Sequence, residues 1–208
     1  MNTNSWTCSV SKASCQTKLF KRLEIFGFFF VSFAGTLLHF AYDFFDSNFI
    51  VGIFAPINES TFEHLKLLLY PMLFYAVFEY YLLKKNDFPC LCQFVCAKTA
   101  GIITGLLSII VLFYTYQGVL GHNVDFVNIL IFFLAVLGGF LVSYYFTTHT
   151  IIFSFFHNQN AQKEKQNNHC FLCLSILTII VILFIIFTIS PPDIGLFHEP
   201  TVSWPAIL

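Results

Sequence analysis

Long apolar runs separated by short polar segments dominate the pattern of this chain. Five runs are long enough to cross a hydrocarbon core about 30 Å thick at about 1.5 Å of helix per residue. They cover residues 23–43, 61–83, 94–116, 124–149 and 171–189. Pro191 and Pro192 follow the last run, and proline ends helices. The pattern therefore predicts an all-α fold, a polytopic transmembrane bundle of about five helices.

The segments outside these runs are short. Residues 1–18 are rich in Ser, Thr and Asn and lack an apolar pattern, which predicts a disordered cytosolic tail. Residues 19–208 show no domain boundary, so we expect a single membrane domain. The apolar segment 49–57 is too short to cross the bilayer, and a re-entrant segment there remains open.

Composition agrees with a membrane location and narrows the partners. The 208 residues are 57% hydrophobic and 10% charged, whereas ordinary soluble domains are about 25% charged. We therefore expect the lipid bilayer of the cell membrane as the environment, with a multi-pass topology. A net charge of −1 argues against nucleic acid as a partner. The sequence does not indicate a protein partner.

Basic residues predict the orientation, because cytoplasmic loops of membrane proteins are enriched in Lys and Arg. If five helices alternate in direction, nine of the ten basic residues lie on one side: Lys12, Lys18, Lys21, Arg22, Lys84, Lys85, Lys98, Lys163 and Lys165. Lys66 alone lies on the other. The pattern predicts an N-terminus inside and a C-terminus outside.

All seven cysteines fall on this predicted cytosolic side: Cys8, Cys15, Cys90, Cys92, Cys96, Cys170 and Cys173. Thiols stay reduced in the cytosol, so we do not expect a disulfide framework. A soft metal site that includes His169 remains an alternative, although the spacing matches no standard zinc motif. Packing as small apolar groups or acylation is more typical of cysteines at a membrane boundary.

Small residues predict where the helices touch, because close approach of backbones drives packing in lipid. Ala97, Gly101 and Gly105 follow one another at four-residue spacing on the third run. Gly138 and Gly139 lie on the fourth run. We expect these residues to form contact faces within the bundle.

Polar and ionisable side chains gather at the predicted outer ends of the first two helices. His39 and Asp43 are four residues apart, so their side chains share a helix face. Ionisable groups at a membrane boundary cost free energy and tend to face the bundle interior. The loop and the start of the second helix add Asn58, Glu59, Glu63, His64 and Lys66 to this candidate polar site.

Part of this cluster has a structural explanation. Ser60 and Glu63 have the spacing of a capping box, in which each side chain bonds the other residue's backbone amide. An acidic group in the first turn also suits the helix dipole. Capping does not require Glu59, His64 or Lys66, so a function for the cluster remains open.

Imidazoles and carboxylates in one place suit a divalent metal or a proton relay. In a metal site, His39, Asp43, Glu63 and His64 would supply the ligands, and Glu59 would be the candidate general base. Further polar groups are predicted on the same side: His122, Asn123, Asp125, Asp193, His198 and Glu199.

The same residues carry a likeness to a known family. The chain resembles a domain-of-unknown-function family of small bacterial multi-pass membrane proteins. The likeness implies a membrane fold and that these polar positions belong together, and it brings no known activity. It rests on Gly35-x-x-x-His39-Phe-x-Tyr-Asp43, on Gly52-x-Phe54-x-Pro56-Ile-Asn58-Glu59-Ser60-x-x-Glu63-His64-x-Lys66, and on Pro191-Pro192 with Gly195-Leu-Phe-x-Glu-Pro200.

Three functions are compatible with the sequence. The first is a structural membrane protein in which the polar loop only caps a helix. The second is a transporter for a small cation, a proton or a solute, and the third is a membrane-embedded metal-dependent hydrolase. We expect an integral membrane protein with a polar His and carboxylate site at the extracytoplasmic face, and the choice among these functions remains open.

Overall fold

The computed structural model describes residues 3–86, 91–156 and 163–198. Within them the chain forms α-helices and one short 3₁₀-helix, and no strand. The α-helices are α1 (Thr3–His39), α2 (Ala41–Phe44), α3 (Phe49–Phe54), α4 (Thr61–Lys85), α5 (Leu91–Leu120), α6 (Asp125–Phe156) and α7 (Lys163–Ile189), and the 3₁₀-helix is Gly195–Phe197.

Five helical stretches in the described residues are long and apolar enough to cross a membrane. They are Thr17–His39, Thr61–Lys85, Cys92–Leu120, Asp125–His149 and His169–Ile189. The prediction of an all-α bundle with about five transmembrane helices is confirmed. A span has to be helical because lipid offers its backbone amides and carbonyls no other hydrogen-bond partners.

The first helix begins at Thr3, so most of the stretch predicted to be a disordered tail is helical. Extending a helix that already exists adds one hydrogen bond for each residue fixed, whereas starting a new helix is costly. The residues before the span Thr17–His39 therefore continue a helix that the span already forms.

The core of the bundle is built by α1, α4, α5 and α6, and α7 packs against α5. Leu68, Met72, Ile102 and Val136 are fully buried at its centre. The outer surfaces of the same helices expose large apolar side chains such as Phe29. A water-soluble domain has a similar apolar core but a polar surface, so this apolar surface fits a bilayer as solvent.

Close backbone contact joins α5 to α6 at two glycines. A Cβ atom placed on Gly101 would lie 2.5 Å from the carbonyl oxygen of Gly139, and one on Gly139 would lie 2.8 Å from that of Gly101. A Cβ on Gly105 would lie against Leu68, whereas one on Gly138 would have no described atom within 4 Å. Three of these four predicted glycines therefore lie at helix contacts, and Gly138 does not.

The cysteines correct one expectation. Cys96 on α5 and Cys173 on α7 form a disulfide, with their Cα atoms 5.3 Å apart. About one helical turn from this disulfide, the Cys92 thiol of α5 lies in hydrogen-bonding contact with Cys170 of α7. The expectation of no disulfide rested on the redox state of the cytosol, and it took no account of how closely the packed helices bring these positions.

Candidate functional site

The loop between the first two spans is held to the bundle by a buried lysine. The Lys66 ammonium donates to the backbone carbonyls of Gly52 at 2.8 Å and Ala55 at 3.4 Å. It also donates to Glu63 Oε2 at 2.6 Å. Lys66 is fully buried and Glu63 nearly so, so this ion pair lies beneath the loop and not at its surface.

The neighbouring polar residues shape the same loop. Glu63 Oε2 also accepts from the Ile57 amide at 2.9 Å. The Ser60 hydroxyl accepts from the Glu63 amide at 3.3 Å and caps α4, but Glu63 does not return the bond. Instead the Ser60 amide donates to Asn58 Oδ1 at 3.0 Å. Asn58, Ser60 and Glu63 are therefore occupied in building the turn that leads into α4.

Three of the predicted site residues meet where α1 ends and α4 begins. One ligand atom from each of His39, Glu59 and His64 lies within 4.8 Å of the other two. The two imidazole rings have centroids 5.2 Å apart. Glu59 is exposed, and the two histidines are partly buried. The turn built by the preceding residues thus places Glu59 beside both imidazoles.

The hydrogen bonds of His64 define what its ring can do. Its Nδ1 lies 2.9 Å from the Ser60 carbonyl oxygen, which can only accept, so Nδ1 carries a hydrogen. Its Nε2 faces Glu59 Oε2 at 3.3 Å. A neutral ring would then point a lone pair at a carboxylate oxygen. The arrangement therefore calls for a hydrogen or a metal ion between the two atoms.

The other three predicted ligands differ in whether they are free to bind a metal. His39 Nδ1 is buried and has no hydrogen-bond partner among the described residues, so it is available to a ligand. Asp43 is exposed on α2 and is not one of the three grouped residues. Glu63 is also outside the group, since its carboxylate is bound to Lys66.

A cavity of about 350 Å³ opens beside Glu59 and His64. One wall is apolar and includes Leu67, Phe113 and Phe132. The other wall is polar and comes from the start of α6 and the turn before it: Asn123, Asp125 and Asn128. The cavity therefore suits a molecule with one polar and one apolar end.

The polar wall is held in place by one tyrosine. The Tyr116 hydroxyl contacts Asn123 Oδ1 at 2.5 Å and also bonds Asn128. Asn128 Nδ2 donates to Asn123 Oδ1 at 2.8 Å. These bonds join the end of α5 to the start of α6, so the cavity wall is built before any ligand arrives.

The other polar residues predicted on this side do not join the site. His122 bonds the Leu120 carbonyl at 3.0 Å, and His198 pairs with Asp193 at 2.7 Å in an exposed position. Glu199 lies outside the described residues.

A second group of charged side chains did not emerge from the sequence. Glu24, Glu79 and Lys98 are buried together near the opposite end of the bundle, with Ser143 beside them. The sequence interpretation counted Lys98 only among the basic residues of the predicted cytosolic side. The sequence did contain a sign of this group, because each of the first three apolar runs carries one of these ionisable residues. Ionisable residues within membrane spans usually face the interior of the bundle.

These features define the class of the protein: an integral, polytopic membrane protein with ionisable groups inside its bundle. No curated protein and no solved structure matches the chain. The chain belongs to a family of unknown function, DUF6512, whose model matches residues 12–203. The resemblance to an uncharacterised family of this kind is thereby confirmed.

Proposed function

We propose that the protein binds one divalent metal ion of the zinc type through His39, Glu59 and His64, and that it is a membrane-embedded metal-dependent hydrolase. The observation that carries the proposal is the convergence of three ligand atoms within 4.8 Å of one another. Two imidazoles and one carboxylate are a ligand set found in catalytic zinc sites.

The surroundings of the ligands support a metal over a simple hydrogen bond. Metal-bound histidines usually donate their second ring nitrogen to a carbonyl or carboxylate, which holds the ring in place. His64 makes this bond to Ser60, and its Nε2 is left for the metal. Zinc ligands lie about 2.0–2.2 Å from the ion, so the exposed Glu59 side chain would turn inward to complete the site.

The cavity supports the hypothesis of a metal-dependent hydrolase. A catalytic zinc site keeps a position open for water or substrate, and here three protein ligands leave a fourth position free. The cavity beside Glu59 and His64 gives that position access to a molecule about the size of a small lipid headgroup or peptide. Asp125, on the opposite wall, is the general base we propose, because Glu59 is used as a ligand.

Transport is less well supported than hydrolysis. Val31 lies between Glu24 and His39 on α1, and Leu68 and Met72 lie between His64 and Glu79 on α4. These three apolar side chains are fully buried. A cation would have to pass this layer, whereas an enzyme needs only the outer cavity.

The test is metal binding by detergent-purified protein, stripped with a chelator and then titrated with zinc. We expect one zinc per chain, lost in each of His39→Ala, Glu59→Gln and His64→Ala. Asp43→Asn and His198→Ala are the controls, and both should keep the metal. A wild-type protein without stoichiometric zinc, or controls that lose it equally, contradicts the proposal.

The open coordination position has a separate test. Acetohydroxamate binds zinc through two oxygens and should raise the melting temperature of the zinc-loaded protein but not of the metal-free protein. An Asp125→Asn variant should behave in the same way, with and without zinc, because the substitution removes the proposed base but no metal ligand. A zinc-loaded protein that does not respond to hydroxamate has a closed, structural site, and the hydrolase assignment fails.

A further inference from the structure

Four helices contribute to the charged group at the end of the bundle away from the cavity. Lys98 Nζ lies 3.0 Å from both carboxylate oxygens of Glu24 and 2.8 Å from Glu79 Oε2. The Ser143 hydroxyl donates to Glu24 Oε1 at 2.9 Å. These residues belong to α1, α4, α5 and α6, and we call them the buried charge cluster.

The cluster is sealed from solvent. Glu79 and Ser143 are fully buried, Lys98 is 2% exposed and Glu24 is 4% exposed. A charge in such a place is tolerated only when another charge or hydrogen bonds compensate it. We therefore ask which protonation state brings the net charge of the cluster to zero.

Two carboxylates face one ammonium in this cluster. If all three groups were ionised, one negative charge would remain uncompensated inside the bundle. Two carboxylates that share one site cannot both ionise easily, since each raises the free energy of the other's charged form. One added proton makes the cluster neutral.

The surroundings of the Lys98 ammonium suit a cation. Lys98 Nζ lies 4.5 Å from the ring centroid of Phe140 and 5.7 Å from those of Tyr75 and Phe94. Aromatic faces attract a cation and would not favour a neutral amine. Among the described residues, Tyr75 is the remaining titratable group against the cluster, and its hydroxyl donates to the Leu23 carbonyl instead.

The two carboxyl groups have unequal surroundings. Glu24 receives Lys98 on both oxygens and Ser143 on one, which suits a carboxylate. Glu79 Oε1 is buried and has no hydrogen-bond donor among the described residues. An ionised oxygen without a donor is costly, and a protonated one is less so.

We propose that the buried charge cluster is a proton-binding site, in which Glu24 and Glu79 share one proton that resides mainly on Glu79. Lys98 remains the cation and pairs with whichever carboxyl is ionised. The pair Glu63 and Lys66 at the other end provides the contrast, because one carboxylate faces one ammonium there and no proton is needed.

Infrared spectroscopy of the purified protein at neutral pH tests the proposal directly. The wild type should show the C=O stretching band of a protonated carboxyl group. Glu79→Gln and Glu24→Gln should each abolish the band, because the remaining carboxyl ionises to pair with Lys98. Asp193→Asn, which alters an exposed carboxylate, should leave the band unchanged. A wild-type protein without the band, or a band that survives in Glu79→Gln, overturns the proposal.

Thermal unfolding of the same variants gives an independent readout. Each single Gln variant should unfold within a few degrees of the wild type, because one carboxylate still balances Lys98. The double variant Glu24→Gln/Glu79→Gln leaves Lys98 without an anion, and its melting temperature should fall by roughly 10 °C. If the fall in melting temperature of the double variant equals the sum of the falls in the two single variants, the two ion pairs are independent. That result would contradict a shared proton.

Discussion

At the residue scale, the structure separates side chains that the sequence placed in one group. Asn58, Glu63 and Lys66 are buried or bonded within the loop, whereas His39, Glu59 and His64 point toward one another. Both sets have the residue types of a polar site. Only their hydrogen-bond partners distinguish groups that hold the loop from groups available to a ligand.

Lys66 provides the clearest prediction at this scale. Lys66→Met removes the partner of a buried carboxylate and the donor to two loop carbonyls. Breaking a buried ion pair costs about 3–5 kcal/mol, so we expect a large drop in the melting temperature of the detergent-purified protein.

Two variants control that measurement. Glu63→Gln combined with Lys66→Met removes both charges and should recover part of the loss. Lys84→Met alters an exposed lysine and should change stability little. If Lys66→Met behaves like Lys84→Met, the buried pair does not anchor the loop.

At the scale of elements, the contact between α5 and α6 depends on two glycines that face each other. Both are small enough for the helix backbones to touch, which is how helices associate where lipid removes the hydrophobic drive. The sequence pointed to glycines on both helices but could not show which of Gly138 and Gly139 faces the partner. Adjacent positions on a helix point in different directions, so only packing decides.

Gly139→Ala tests this contact. The added methyl group would lie 2.8 Å from the Gly101 carbonyl oxygen, and the helices would have to move apart. Overpacking of this kind costs about 1–3 kcal/mol, measured as a lower melting temperature. Gly138→Ala is the matched control, because no described residue has an atom within 4 Å of its new Cβ. Equal effects of the two substitutions would place the contact elsewhere.

At the scale of the whole molecule, two buried lysines affect the argument for the orientation of the chain in the membrane. Lys66 and Lys98 are both buried and paired with carboxylates, so neither reports on the sidedness of a loop. Lys66 was the one basic residue that opposed the predicted orientation. The other eight are predicted to lie on one side of the membrane when five spans alternate, and the N-terminus remains predicted to lie inside.

Labelling from each side of the membrane tests this orientation. In a background with the native cysteines replaced by serine, we expect Asp193→Cys to react with an impermeant maleimide in intact cells. Lys84→Cys should react only after permeabilisation. Both positions are exposed in the structure, so access depends on the membrane alone. The opposite pattern of labelling would reverse the topology and place the proposed metal site in the cytosol.

The sequence by itself determined the class of fold and the five spans. Each span is a local property, because about 20 apolar residues must satisfy their own backbone hydrogen bonds in lipid. Most of the candidate site was also local, since Asn58 to Lys66 lie within nine consecutive residues, whereas His39 comes from α1.

The tertiary structure alone decided which charged groups meet. Lys98 reaches Glu24 across 74 residues, and Ser143 reaches it across 119. It also selected Glu59 over Glu63 as the neighbour of the two histidines. Hydropathy depends on the composition of each segment, whereas these pairings depend on how each helix is rotated about its axis. That rotation results from packing among all the helices, and no single segment of the sequence contains it.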